Sequence, residues 1–248
     1  MSLPSVDGAL RQAFAPGGTL RAAINLGNPV LAQPGPDGGR PRGVSVDLAV
    51  ELARRLELPL ETVTFDAAGK VFEAAPAGRW DIAFLAIDPV RAAEIDYTAP
   101  YVVIEGSYLV ADTSPIRAIA DADRAGVRIA VGRGAAYDLY LTRALQQATL
   151  VRAETSGGAI ELFVRDGLEA AAGVRQPLER YAAAHPGYRV IDGRFTAIEQ
   201  AMGMPKSAAR AAALPFLRAY VEEMKASGFV AQALTASGQD GAAVAPPA

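Results

Sequence analysis

The sequence predicts an α/β fold built on parallel sheets with helices on both faces. Short apolar runs alternate with amphipathic stretches along nearly the whole chain, the pattern of strands joined by covering helices. One run, Trp80–Ala86, is apolar throughout after a single charge, as a strand buried on both faces reads. With 51% hydrophobic residues in 248, the chain can build one large domain or two lobes of roughly 100–150 residues each. It carries no solenoid period and no coiled-coil heptad.

In chain order, Leu20–Leu26 is a short buried strand ending at the turn-forming Gly27-Asn28-Pro29. Gln33–Gly43, dense in Pro and Gly, is a loop. Ser45 is the expected N-cap of a helix whose Val46, Ala49, Leu52, Ala53 and Leu56 share one face. Leu60–Phe65 alternates like a strand, and Ala67–Ala77 is a weak helix. After Trp80–Ala86, Tyr101–Ala111 is a long strand with an interruption expected at Gly106. Strands follow at Val127–Val131, Thr149–Ala153, Leu168–Ala172, Val190-Ile191 and Ile198–Met204. Helices follow at Ala135–Gln147, Gly158–Val164, Gln176–Ala184, Ala208–Ala226 and Phe229–Thr235. Ser237–Ala248, rich in Gly, Ala and Pro, reads as a mobile tail.

Charge and composition exclude several functions. A net charge of −3 gives no broad footprint for nucleic acid or anionic lipid. No apolar run approaches the ~18 residues that a membrane span requires. The absence of cysteine removes disulfides, thiol nucleophiles and thiolate metal sites. His185 is the only histidine, lies in a Pro-Gly turn, and reads as a surface residue; no metal and no cofactor are expected. Gly132-x-Gly134 lacks the third glycine of a dinucleotide fingerprint. Trp80 reads as structural, and Arg11, Arg21, Arg40 and Arg42 as a solvated surface.

In parallel sheets, ligands sit beyond the carboxyl ends of the strands. The loops to search are therefore Gly27–Val30, Asp66–Gly69, Ala86–Val90, Gly132–Ala136 and Gly173–Pro177. The most informative stretch is WDIAFLAIDPVRAAEIDYTAPY, Trp80–Tyr101. Here a buried strand leads into Asp88-Pro89, and Arg91 stands just inside a short helix. Its guanidinium is always charged, and its planar fork matches a carboxylate.

These phrases, in this order, resemble the family 3 extracellular solute-binding proteins, the periplasmic amino-acid receptors of ABC importers. The matching phrases are Gly43-Val44-Ser45-Val46-Asp47-Leu48-Ala49, Gly78-Arg79-Trp80-Asp81, Asp88-Pro89-Val90-Arg91-Ala92, Asp96-Tyr97-Thr98-Ala99-Pro100-Tyr101 and Val127–Ala136. The resemblance runs from about Thr19 to Leu234. It implies a two-lobed, type II periplasmic-binding-protein fold with lobe 1 at 1–111 plus 196–248 and an inserted lobe 2 at 112–195. Two hinge strands fall near Val110–Ser114 and Phe195–Ile198, and ligand binding closes the lobes. Met1-Ser2-Leu3-Pro4 lacks a basic or apolar leader, as in a cytosolic protein or one whose signal peptide has been removed; the resemblance implies the second, a periplasmic monomer. Its implied partners are a small carboxylate solute and an ABC permease.

By the same resemblance Arg91 anchors the ligand carboxylate, and Gly134-Ala135-Ala136 offers backbone N–H groups at a helix start, an end that attracts anions. Asn28, Phe65, Ala86, Asp88, Arg133, Tyr137 and Arg175 complete the expected ligand-binding set. Asn28 reads equally as a turn residue, and Phe65 equally as core.

Three departures from the family pattern bear on the ligand. The stretch Asp81–Arg91 is about two residues short, with Ala86 and Asp88 where hydroxyls are usual. Ala135 and Ala136 replace a threonine pair. Val174 or Arg175 stands where an acid holds the ligand ammonium. An ammonium buried without an acceptor costs several kcal/mol. The expected ligand is therefore an organic acid without an amino group, with two carboxylates on Arg91 and Arg175 as one form of it. A polar amino acid, its ammonium taken by Asp66, Asp88 or Glu105, is the alternative. Further alternatives are an enzyme on the same fold, resembling cyclohexadienyl dehydratase and using Asp66, Asp88, Glu105 or Glu199, and a sensory ligand-binding domain.

Overall fold

The computed structural model describes residues 5–239 and 241–248; Met1–Pro4, read above for its missing leader, lies outside them. The order of elements is α1 (Gly8–Phe14), β1 (Leu20–Asn25), α2 (Val44–Leu56), β2 (Leu60–Phe65), α3 (Ala68–Glu73), β3 (Ile82–Ala86), β4 (Ile95–Ala111), β5 (Arg128–Gly132), α4 (Ala136–Ala144), β6 (Thr149–Ala153), α5 (Ser156–Arg165), β7 (Ala170–Val174), α6 (Arg175–Ala184), β8 (Tyr188–Val190), β9 (Thr196–Pro205), α7 (Ala213–Ala226), α8 (Phe229–Ala236) and β10 (Ala243–Val244). Packing groups them into two compact units. One holds the described residues up to Asp66, Lys70–Val103 and those of Glu199–Ala248; the other holds Ala67–Gly69 and Ile104–Ile198.

In the first unit β1 lies between β2 and β3, parallel to both, and β3 pairs antiparallel with β9. All five residues of β3 are buried, as its unbroken apolar run requires. Trp80 is wholly buried, and its indole N–H donates to the Val71 carbonyl at 2.9 Å. Asp81 is 1% exposed and takes Arg21 on both oxygens, at 2.8 and 3.0 Å, with Arg210 at 2.7 Å. Arg21 is thus no solvated surface charge. Burial works to raise the Asp81 carboxyl's pKa, but the hydrogen bonds from Arg21 and Arg210 outweigh it and hold it below the usual value.

In the second unit β5 lies between β6 and β7, parallel to both, while β7 and β8 pair antiparallel with the later part of β4. Leu109, Ala130, Phe163, Ala171 and Leu178 form its core. Ile104–Ala111, left with the first lobe by the sequence reading, belong to this unit by packing.

Several local expectations change. Helix α2 starts at Val44, with Gly43 rather than Ser45 at its cap position. Gly43 has φ +114°, and a Cβ there would stand 2.6 Å from the Leu31 carbonyl oxygen, so Ser45 moves inside the helix and meets the Tyr101 hydroxyl at 3.1 Å. Strand β4 begins at Ile95 and runs 17 residues without a break at Gly106, where a Cβ would strike the Phe195 ring. The stretch 208–226 divides, because only Ala213–Ala226 is α-helical. The C-terminal tail is docked: β10 pairs with Val102 and Val103, and Ala245 is buried.

Candidate functional site

Because β1, β2 and β3 run parallel, the turns that follow them leave the same edge of the first sheet. Five of the expected site residues gather on that edge. Asn28 is buried and closes its own turn: its side-chain oxygen accepts from Val30 N–H at 3.3 Å, and its carbonyl from Leu31 and Ala32. Phe65 ends β2 and lies 5.6 Å beneath the Arg79 guanidinium. Ala86 ends β3, and the chain is pinned immediately afterwards by Ile87 N–H donating to the Glu199 carbonyl at 2.9 Å.

Asp88 and Arg91 are the charged heart of this edge, 4% and 1% exposed. The Asp88 carboxylate accepts from Val90 N–H at 2.9 Å, and its carbonyl from Ala92 N–H at 2.8 Å, which winds the turn into one 3-10 turn, Arg91–Ala93. Arg91 reaches back to donate to the Ala86 carbonyl at 3.1 Å. Burial pushes the Arg91 pKa below its ordinary value, while the charges of Tyr97 and Asp88 act to raise it. Tyr97 beside it is pushed up to about 12 by its own burial, against the pull of Arg91.

The second unit repeats the arrangement with β5, β6 and β7. Arg133 leaves β5 and pairs with Glu154 at 3.2 Å. Gly134 has φ +67°, and its N–H donates to the Asp138 carboxylate at 2.8 Å. A Cβ on Gly134 would stand 2.9 Å from the Gly69 Cα, so the position suits glycine on two counts. Ala135 is the N-cap of α4 and has no side-chain acceptor, and Ala136 is the first helical residue. Tyr137 turns inward, 3% exposed, its hydroxyl 2.9 Å from Ser156 Oγ, so it braces α4 against the start of α5.

Arg175 opens α6 at the end of β7. Its Nε donates to Glu105 at 3.0 Å, a second nitrogen reaches Glu179 at 3.4 Å, and the third donates to the Gly193 carbonyl. Glu105 also receives Arg194 at 2.9 Å. The residue that the sequence overlooked is Asp138. It lies 3% exposed in the first turn of α4 and binds Arg152 at 3.0 Å as well as Gly134. Its signal was an acid four residues beyond a glycine at a helix start, a spacing that lets it reach back.

A general acid working near neutral pH needs a raised pKa. Asp66 is held below its usual value by Lys70. Burial works to raise Glu105, but Arg175 and Arg194 outweigh it and keep it low. Among the described residues there is no group of three or more His, Asp or Glu side chains able to hold a metal ion, and no helix long and apolar enough to cross a membrane.

With this geometry the chain has the two-lobed type II periplasmic-binding-protein fold, as its likeness to solved structures shows. It is similar to a mutant of ArgBP from T. maritima, 20% identical with a TM-score of 0.78, over 93% of this chain and 99% of that one. The solute receptor for L-cysteine of Neisseria gonorrhoeae is 21% identical with a TM-score of 0.77, covering 91% of this chain and 92% of its own. The ancestral amino acid-binding protein AncCDT-1, a precursor of cyclohexadienyl dehydratase, is 22% identical with a TM-score of 0.75, covering 92% and 99%. At such identities the likeness is one of fold. The family is shown by sequence: residues 20–236 match the model of the bacterial extracellular solute-binding proteins, family 3, and the chain belongs to that family. No curated protein matches it.

Proposed function

We propose that this protein is the solute-capturing component of an ABC uptake system in the periplasm, and that it holds a small carboxylate-bearing solute on Arg91. The observation that carries this reading is a guanidinium, 1% exposed, at the edge where the parallel strands β1, β2 and β3 end. Arginine in a dry site suits a planar carboxylate better than any other side chain. Capture needs no bond to be made or broken, and the low pKa values of Asp66 and Glu105 suit that role. A membrane permease is the partner that would receive the loaded form.

Of the two forms of ligand considered, the geometry supports an amino acid better than an organic acid. The organic-acid reading rests on the lack of an acid at 174–175 to hold an ammonium; its two-carboxylate form also needs Arg175, which is held by Glu105 at 3.0 Å. Asp88 meanwhile lies buried in the same turn as Arg91. That acid and that base sum to zero charge. A zwitterion adds its carboxylate to Arg91 and its ammonium to Asp88 and keeps the sum at zero. A bare anion leaves one uncompensated charge out of water, at a cost of several kcal/mol. The solved structures of similar fold include receptors for L-cysteine and complexes with L-arginine and lysine, which agrees with this form.

Thermal-shift measurement against the common amino acids and a set of small organic acids tests the reading. Stabilisation by one or more amino acids is expected, and Arg91→Met is expected to weaken that ligand by at least about a hundredfold. Stabilisation by organic acids alone would return the ligand to an acid without an amine. Binding that survives Arg91→Met undiminished would overturn the anchor.

A further inference from the structure

Tyr101, Tyr137 and Tyr220 each spend a buried hydroxyl inside the fold: Tyr101 meets Ser45 Oγ at 3.1 Å, Tyr137 donates to Ser156 Oγ at 2.9 Å, and Tyr220 donates to the Leu48 carbonyl at 2.7 Å. Tyr97 does not. Its hydroxyl oxygen is shut off from solvent, yet it meets no hydrogen-bond partner among the described residues. A buried hydroxyl held in this way costs stability, so its retention calls for an explanation.

Its neighbours fix where it stands. Tyr97 is the third residue of β4, and Arg218 donates to its carbonyl at 3.2 Å. The ring lies over Gly203 of β9, where a Cβ would stand 3.2 Å from two of the ring carbons. Gly203 pairs with Ala83 of β3, the strand that leads into Asp88 and Arg91. The charges of Arg91 and Asp88 both act on the hydroxyl, which lies within their reach. All of these residues belong to the first unit.

We infer that Tyr97 is a further ligand-binding residue of the Arg91 site, its hydroxyl donating to the solute carboxylate that the guanidinium holds. The inference rests on the Arg91 reading above and adds a neutral donor to it. A carboxylate has about four acceptor positions, more than one guanidinium fork fills. Burial pushes the phenol up to about 12, so it keeps its proton through the neutral range and meets an anion as a donor. Out of water such a bond is stronger than on a surface. Being uncharged, the hydroxyl leaves the charge sum of Arg91 and Asp88 as it was.

Tyr97→Phe removes the one oxygen and keeps the ring on Gly203. The whole protein is titrated by calorimetry with the common L-amino acids, acetate and succinate, and its thermal midpoint is measured without any of them. The affinity of each probe that binds wild type is expected to fall about tenfold or more in Tyr97→Phe. The midpoint of the empty variant is expected to equal or exceed that of wild type, because the cost of the buried hydroxyl goes with it. A merely structural tyrosine would not give that pair of results. A loss of affinity below about fivefold overturns the inference. So does a lower midpoint in the empty variant, which would show the hydroxyl already bonded within the fold. Affinity lost in Arg91→Met but kept in Tyr97→Phe would strike the Tyr97 assignment alone. Binding that survives Arg91→Met, or no binding of any probe to wild type, would strike the Arg91 reading and this inference with it.

Discussion

Asp81 shows how a residue can match a family phrase for reasons of stability. Its carboxylate is 1% exposed and is satisfied by two arginines from distant parts of the chain, Arg21 on β1 and Arg210 before α7. Removing one partner of such a buried group costs about 3–5 kcal/mol, because the charges left behind stay out of water. Asp81→Asn should lower the unfolding free energy by roughly 3 kcal/mol in urea titration. The sign of the pH effect follows from its pKa, which is lower in the folded protein than in the unfolded chain. The stabilisation is therefore full above about pH 4 and is lost as pH falls below it, so wild type should lose its advantage over the asparagine variant on acidification. A constant difference from pH 6 to pH 3 would contradict this. Gly134 makes a second case at this scale. With φ +67° and no room beside Gly69, Gly134→Ala should destabilise the protein by about 1–2 kcal/mol, read from its thermal midpoint.

At the scale of elements, the strands were the most legible part of the chain. Trp80–Ala86 reads as a central strand because it must be apolar on both faces, and β3 is buried along its whole length. What misled was chemistry that acts through space. The C-terminal tail reads as mobile by composition, yet β10 completes a ladder with Val102 and Val103, and Lys225 donates to the Pro246 carbonyl at 2.8 Å. A two-residue strand carries no periodicity, so nothing in its sequence announces it. Truncation after Gly238 should cost on the order of 2 kcal/mol, from the lost ladder bonds and the lost burial of Ala245, measurable as a lower urea midpoint with an unchanged transition slope. Helix α1 was missed for a similar reason. Its seven residues are too few to show a period, and its Asp7 cap, accepting from Leu10 N–H at 2.8 Å, is a single-residue signal.

For the molecule as a whole, capture and stability are linked. A ligand that binds only the folded chain at a hundred times its dissociation constant adds about 2.7 kcal/mol. In a chain of this length that moves the thermal midpoint by roughly 5–10 °C. The same ligand should give no such shift in Arg91→Met, compared at the same concentration.

The sequence by itself determined the α/β class and the family, and it pointed to the strand-end edges of the sheets as the places to look for a ligand. These depend on apolar periodicity and on short phrases read along the chain. It also singled out Arg91, because an arginine just beyond a buried strand is visible as a neighbour in sequence. Only the tertiary structure decided which charges are available. Arg175 meets Glu105 across 70 positions, and Arg152 meets Asp138 across 14. Ion pairing falls steeply with distance in space and is indifferent to distance along the chain, so no local pattern could have told which acid each cation meets.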